Sequence, residues 1–371
     1  MTASAPGEVL GAVLGKASDT VSSNVLGTVL GTVEARGIGT VLAAETPLRA
    51  SAPEARSAAR PATDVEFELA PVAMPMLGRL LMGARNRDDR TLAPADAEAA
   101  LGGFSRAGGG AVVALAGRRS DASGAELARL SAVSGVAIIR GAAPAGSAEE
   151  GDPEAHAARI LAELDASRHP AGVVGLVRAP GEGERAPERR IGAAATAAHR
   201  AGAALVLEAG PDPATAERSL AAVDAAGLAR ERVILTGVTR ALGGSGSVVG
   251  GSAGARPGRL EALLALGTAL CFDDLGRIPT VRTIVSDFDA ALAILGCAER
   301  GAAERVTLSC GIRNKHRLTA YGGNGLEFVG EQFLPLLARL GADEALVAAV
   351  GGGNAARILA RRVPGAAEET P

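Results

Sequence analysis

Eight short apolar runs punctuate the chain, at residues 40–44, 111–115, 136–140, 172–177, 204–208, 232–236, 269–272 and 305–309. Each is continuously apolar rather than alternating, the pattern of a strand buried on both faces. Between them lie stretches with helical spacing, at 125–132, 153–164, 187–201, 213–226, 257–266 and 281–295, four of them opened by proline. Proline is favoured in the first helical turn, where its missing N–H costs nothing. Alternating strands and helices imply a parallel α/β sheet, and eight such units are the number that closes a (β/α)8 TIM barrel. A doubly wound open sheet is the alternative.

The remaining segments set the organisation. A near-repeat, VLGAVLG at 9–15 and VLGTVLG at 25–31, occurs only twice, too few copies for a solenoid. Residues 1–28 are therefore expected to be a disordered leader, 29–360 a single barrel domain and 361–371 a tail. Residues 49–63 are polar and rich in Ala and Pro, as in a surface loop. Residues 243–256 form a Gly/Ser insertion after the sixth strand, a candidate interaction surface.

Composition narrows the class. The 371 residues are 47% hydrophobic but only 2% aromatic, with no Trp, so the core must be built from Ala, Val, Leu and Ile. The formal net charge is −3, which indicates neither nucleic acid nor an anionic membrane as partner. No run of 18 apolar residues is present for a membrane span. Cys271, Cys297 and Cys310 show no spacing pattern, and an odd count fits a reduced, cytoplasmic setting. Lysine is almost absent, Lys16 and Lys315 being the two.

Two blocks carry a family resemblance. The first, VLGTVEARGIGTVLAAETPL at 29–48, resembles a family's opening strand, which runs into His-x-His. The second, RVTLSCGIRNKHRLTAYGGNG at 305–325, matches a closing signature through Lys315, Leu318, Tyr321, Gly322, Gly323 and Gly325. Phe272-Asp273 with Gly276-Arg277, then Phe333, Pro335, Leu336 and Gly341, then Asn354, Arg357 and Leu359 continue the register. The family is that of the phosphotriesterases in the amidohydrolase superfamily, and the resemblance spans roughly 29–360.

That resemblance implies a TIM barrel of the metal-dependent hydrolase type, acting on phosphotriesters, lactones or other esters with two zinc or similar divalent ions, often as a homodimer. It also implies ligand positions: Ala44 and Thr46 after the first strand, Leu176 at the fourth, Glu208 after the fifth, Gly237 after the sixth and Gly311 after the eighth. Only Glu208 among these has a side chain with useful metal affinity, and a catalytic zinc site needs about three protein ligands. The expectation is a degenerate homologue without a zinc centre or other cofactor. A small molecule would then be bound at the C-terminal barrel face.

Other chemistries stay open. Glu45, Glu208, Asp273 and Asp274 read either as an oxygen-rich site for a hard cation or as solvated loop acids. Cys310 at a strand end reads as a nucleophile, with Lys315 and His316 as its base, or as a buried thiol. The loop 313–317 offers Arg313, Lys315 and His316 as anion contacts, or as a solvated charge run. Lys315 has a structural alternative beneath the Tyr321 turn. His156, His169 and His199 fall at the wrong end of the barrel and are expected at the surface.

Overall fold

A computed structural model of the chain describes residues 24–50, 62–115, 123–142, 152–178, 187–208, 210, 212–243 and 255–361. Most of the 243–256 insertion and the far ends of the leader and tail lie outside them. Two strands, β1 (Val25–Thr28) and β2 (Gly31–Glu34), pair as an antiparallel hairpin. Eight more close a parallel barrel in the order β10-β3-β4-β5-β6-β7-β8-β9. They are β3 (Thr40–Glu45), β4 (Gly109–Ala114), β5 (Ala137–Ala142), β6 (Val173–Arg178), β7 (Leu205–Glu208), β8 (Val233–Thr236), β9 (Ala269–Phe272) and β10 (Val306–Leu308). The fold is the (β/α)8 barrel, and the open-sheet alternative is set aside by the pairing of β10 with β3.

Alternate strand residues build two apolar layers. Val41, Ala43, Ala111, Val113, Val173, Val206 and Ile234 belong to an inner cluster of small and β-branched side chains. Leu42, Val112, Leu205, Leu207, Leu235 and Phe272 pack outward with the helices. The helix Pro187–Ala201 buries Ala193, Ala194, Ala195, Ala197 and Ala198, so its backbone lies close to the strands. Such a face buries little area per residue, at about 25 cal/mol per Å2, and gains from close approach instead.

The end opposite the strand C-termini is sealed by polar anchors. Arg232 is buried and donates to the carbonyls of Ile358, Ala360 and Gly202. Asn354, also buried, donates to Ala303 at 2.8 Å and to Val306 at 2.9 Å, pinning the last helix, Asn354–Leu359, to the start of β10. Leu26 of the hairpin shares the inner cluster with Ile358 and Leu359.

Three sequence expectations shift. The ordered fold begins before residue 29, because Val25–Thr28 is a strand whose partner begins at Gly31. The helix expected at 281–295 runs instead from Asp287 to Glu299, started by a capping box in which Ser286 and Asp289 satisfy each other's backbone N–H. His156 is buried within its helix rather than at the surface. Among the described residues no helix is long and apolar enough to cross a membrane.

Candidate functional site at the mouth of the barrel

Glu45 ends β3 and is buried. Its Oε1 accepts from Ser309 Oγ at 2.6 Å, Cys310 N at 2.7 Å and Gly311 N at 3.0 Å, and its Oε2 accepts from Ile312 N at 3.1 Å. The carboxylate therefore closes the turn that follows β10. Burial pushes its pKa above the usual carboxylate range, although all four hydrogen bonds pull the other way. Gly311 adopts φ +59°, the left-handed region that favours glycine.

The other acids are held separately. Glu208 faces Arg178 of the neighbouring strand at 3.4 Å. Asp274, itself at φ +64°, pairs with Arg277 at 2.6 Å, and Arg317 lies 3.8 Å away. Asp273 accepts from Gly237 N at 2.8 Å through Oδ2, while its Oδ1 is shielded from solvent and has no hydrogen-bond partner among the described residues. Burial, reinforced by the neighbouring charge of Asp274, raises the Asp273 pKa to about 6. Glu45, Glu208 and Asp274 thus each have a partner of their own. Among the described residues no three His, Cys, Asp or Glu side chains gather as a metal-holding group.

The remaining positions carry no donor side chain directed at a common point. Ala44 and Leu176 pack against the inner apolar cluster. Thr46 lines a small pocket with Leu92 and Ile312. Gly237 contributes its N–H to Asp273.

Cys310 is fully buried, its Sγ 3.8 Å from the Leu326 carbonyl, and burial lifts the thiol well above its ordinary pKa. Lys315 and His316 do not serve it as bases. Lys315 Nζ pairs with Asp88 at 2.8 Å and Asp96 at 3.5 Å and sits 5.4 Å from the Tyr321 ring centre. His316 gives its backbone N–H to Asp89 at 2.9 Å, and its Nδ1 lies 2.8 Å from the same carboxylate. Two of the three proposed anion contacts are thus taken by acids of the β3–β4 connection. The third, Arg313, has its carbonyl held by Arg49 at 2.7 Å, while its positive charge partly opposes the rise in the Asp273 pKa.

The Tyr321-Gly322-Gly323 turn belongs to the same structural knot. The Tyr321 hydroxyl donates to Asp96 at 2.7 Å, Gly322 has φ +90°, and a Cβ on Gly323 would lie 2.2 Å from the Arg317 backbone. Beside this knot the mouth opens into a cavity of about 610 Å3, reached by loops after β3, β8, β9 and β10. Sequence reading did not bring these loops together. Of the cavity's arginines, the sequence points to Arg277, through the family segment after β9, and to Arg317, at the end of the charged loop 313–317.

The model of the Phosphotriesterase family matches residues 82–359. The chain belongs to this family. It resembles a resiniferatoxin-binding protein from Rhodobacter sphaeroides at 25% identity and a TM-score of 0.76, covering 91% of this chain and 96% of that one. Two more distant likenesses carry the fold alone. One is a phosphotriesterase homology protein from Escherichia coli, complexed with phosphate in its active site, at 16% identity and TM-score 0.65, with 87% and 99% of the two chains covered. The other is a lactonase from Listeria monocytogenes at 16% identity and TM-score 0.68, with 92% and 100% covered. No curated protein matches the sequence.

At the six positions where the sequence resemblance expects metal ligands, the side chains present do not make up the donor set of a two-zinc centre. Two of the six positions are glycine, three more bear Ala, Thr or Leu, and the one carboxylate, Glu208, is paired with Arg178.

Proposed function

We propose that this phosphotriesterase-family barrel has kept the scaffold and relinquished binuclear hydrolysis, leaving a small-molecule binding role at the C-terminal mouth. The observation that carries this reading is the use of Glu45. Its carboxylate, the acid nearest the two first-strand positions, is spent on the 309–312 turn. The absence of imidazole and lysine from the six positions supports the same conclusion, as does likeness to a relative named for binding a ligand. A cytoplasmic setting and a homodimer accompany this proposal. Hydrolysis of an aryl ester and an aryl phosphotriester, measured with and without added Zn2+, Mn2+ and Co2+, tests it. Absence of turnover above the buffer rate is expected, and metal-dependent turnover contradicts it.

A second reading, an active hydrolase with a rebuilt carboxylate site, is favoured by one observation, the shielded and unpartnered Oδ1 of Asp273. Under that reading turnover is present, and both Asp273→Asn and Glu208→Ala abolish it.

A further inference from the structure

Among the described residues, six arginines line the 610 Å3 cavity. Arg85 and Arg90 come from the β3–β4 connection, Arg240 follows β8, Arg277 and Arg282 follow β9, and Arg317 follows β10. They converge on a chain whose net charge is −3, so the cluster is not a sample of a generally basic surface. The two acids among its described lining residues are already engaged, Asp89 by His316 and Asn314 and Asp274 by Arg277. Two carboxylates against six guanidiniums leave a positive excess in one concavity, where like charges repel and a bound anion relieves them.

The arginines divide by occupation. Arg317 is buried and donates through Nη2 to the carbonyls of Leu275 and Cys310, at 2.9 and 3.1 Å. Its Nε is shielded with no hydrogen-bond partner among the described residues. Arg282 gives Nη1 to the Met82 carbonyl at 2.7 Å. Arg85 and Arg90 make no side-chain hydrogen bond or ion pair among the described residues, and Arg240 acts on Asp274 only through its field. The cavity therefore combines arginines held in place by the fold with arginines free to reorient. Guanidinium forks match the paired oxygens of phosphate, which a point charge such as Lys does not. Leu80, Leu81, Ile278, Ile284 and Val285 supply an apolar wall, and the volume lies in the range of small-molecule sites.

The geometry points to a binding site for a small phosphate monoester, its dianionic head among Arg85, Arg90, Arg240 and Arg317 and its apolar body against Leu80, Ile278 and Ile284. The inference deepens the binding reading above and rests on it only for the claim that the ligand leaves unchanged. Titration calorimetry on the full chain tests it, with phenyl phosphate, inorganic phosphate and phenol as probes. The variants are the double substitution Arg85→Gln/Arg240→Gln, and Arg159→Gln on an exposed helix face as control. Thermal melting of each variant verifies the fold.

Phenyl phosphate is expected to bind more tightly than inorganic phosphate, with phenol undetected and added NaCl weakening both anions. The double variant loses about 10-fold or more in affinity and Arg159→Gln stays within about 2-fold. Absence of anion binding up to about 10 mM overturns the site, as does equal affinity of the double variant and the control. Inorganic phosphate binding as tightly as phenyl phosphate overturns the ester assignment in favour of free phosphate. Release of phenol from phenyl phosphate overturns the claim that the ligand leaves unchanged, while binding lost in the double variant still upholds the anion site.

Discussion

The backbone N–H of Gly311 donates to Glu45 Oε1 at 3.0 Å. This bond joins the end of the first barrel strand to the turn after the last one and so closes the barrel at its functional end. By the sequence resemblance, Gly311 is an expected metal-ligand position and Glu45 lies between two others, Ala44 and Thr46. Here one has become a buried acceptor and the other a backbone donor. Four donors depend on this single carboxylate.

Glu45→Ala is therefore expected to destabilise the fold strongly. It strands the N–H groups of Cys310 and Ile312, each unsatisfied group costing about 1–3 kcal/mol, while the Ser309 hydroxyl keeps the Ala44 carbonyl at 2.7 Å and the Gly311 N–H keeps Ser309 Oγ at 3.3 Å. A loss on the order of 3 kcal/mol by urea denaturation is the expected result. An unchanged midpoint would show that the turn closes without the carboxylate.

Asp273 gives a pH signature. Its folded pKa, about 6, lies above the ordinary aspartate value of about 4. Between those values the folded chain holds a proton that the unfolded chain has released. The stabilisation is complete below about pH 4 and is lost as pH rises through about 6. Asp273→Asn is expected to flatten this part of the stability profile, measured by denaturant unfolding at pH 4 to 7. A slope that survives the substitution places the titration elsewhere.

Lys315 and Tyr321 act in the knot with Asp88 and Asp96 rather than on a ligand. Tyr321→Phe is expected to lower stability by about 1 kcal/mol, the net value of one hydrogen bond. Lys315→Met, which leaves two acids without their cation, costs more, and neither change alters phosphate affinity. Loss of phosphate binding in Lys315→Met with the melting temperature retained would return Lys315 to the anion contacts.

Cys310 is expected to resist thiol reagents. Its sulfur is buried and its thiolate disfavoured, so modification by a disulfide reagent at pH 8 should follow unfolding. Rapid labelling of Cys310 in the native chain contradicts the placement.

The strands were legible because burial on both faces makes each a plain apolar run, and proline marked helix starts at Pro153, Pro187 and Pro213. The hairpin at Val25–Thr28 escaped because its Gly-Thr composition and short length give no strong period. At the site, sequence located Glu45, Glu208 and Asp273 on the right end of the barrel. It could not tell that Glu45 points into the 309–312 turn, since that orientation is set by a hydroxyl 264 residues away and backbone N–H groups 265 to 267 residues away. The arginine cavity was hidden for the same reason, its residues being drawn from four separate loops.

The central claim is that the family's metal positions no longer assemble a binuclear centre. Zinc content of the purified full chain, measured by elemental mass spectrometry after incubation with excess Zn2+ and removal of free metal, tests it most directly. The account predicts well under one tightly held zinc per chain; two equivalents retained per chain would contradict it.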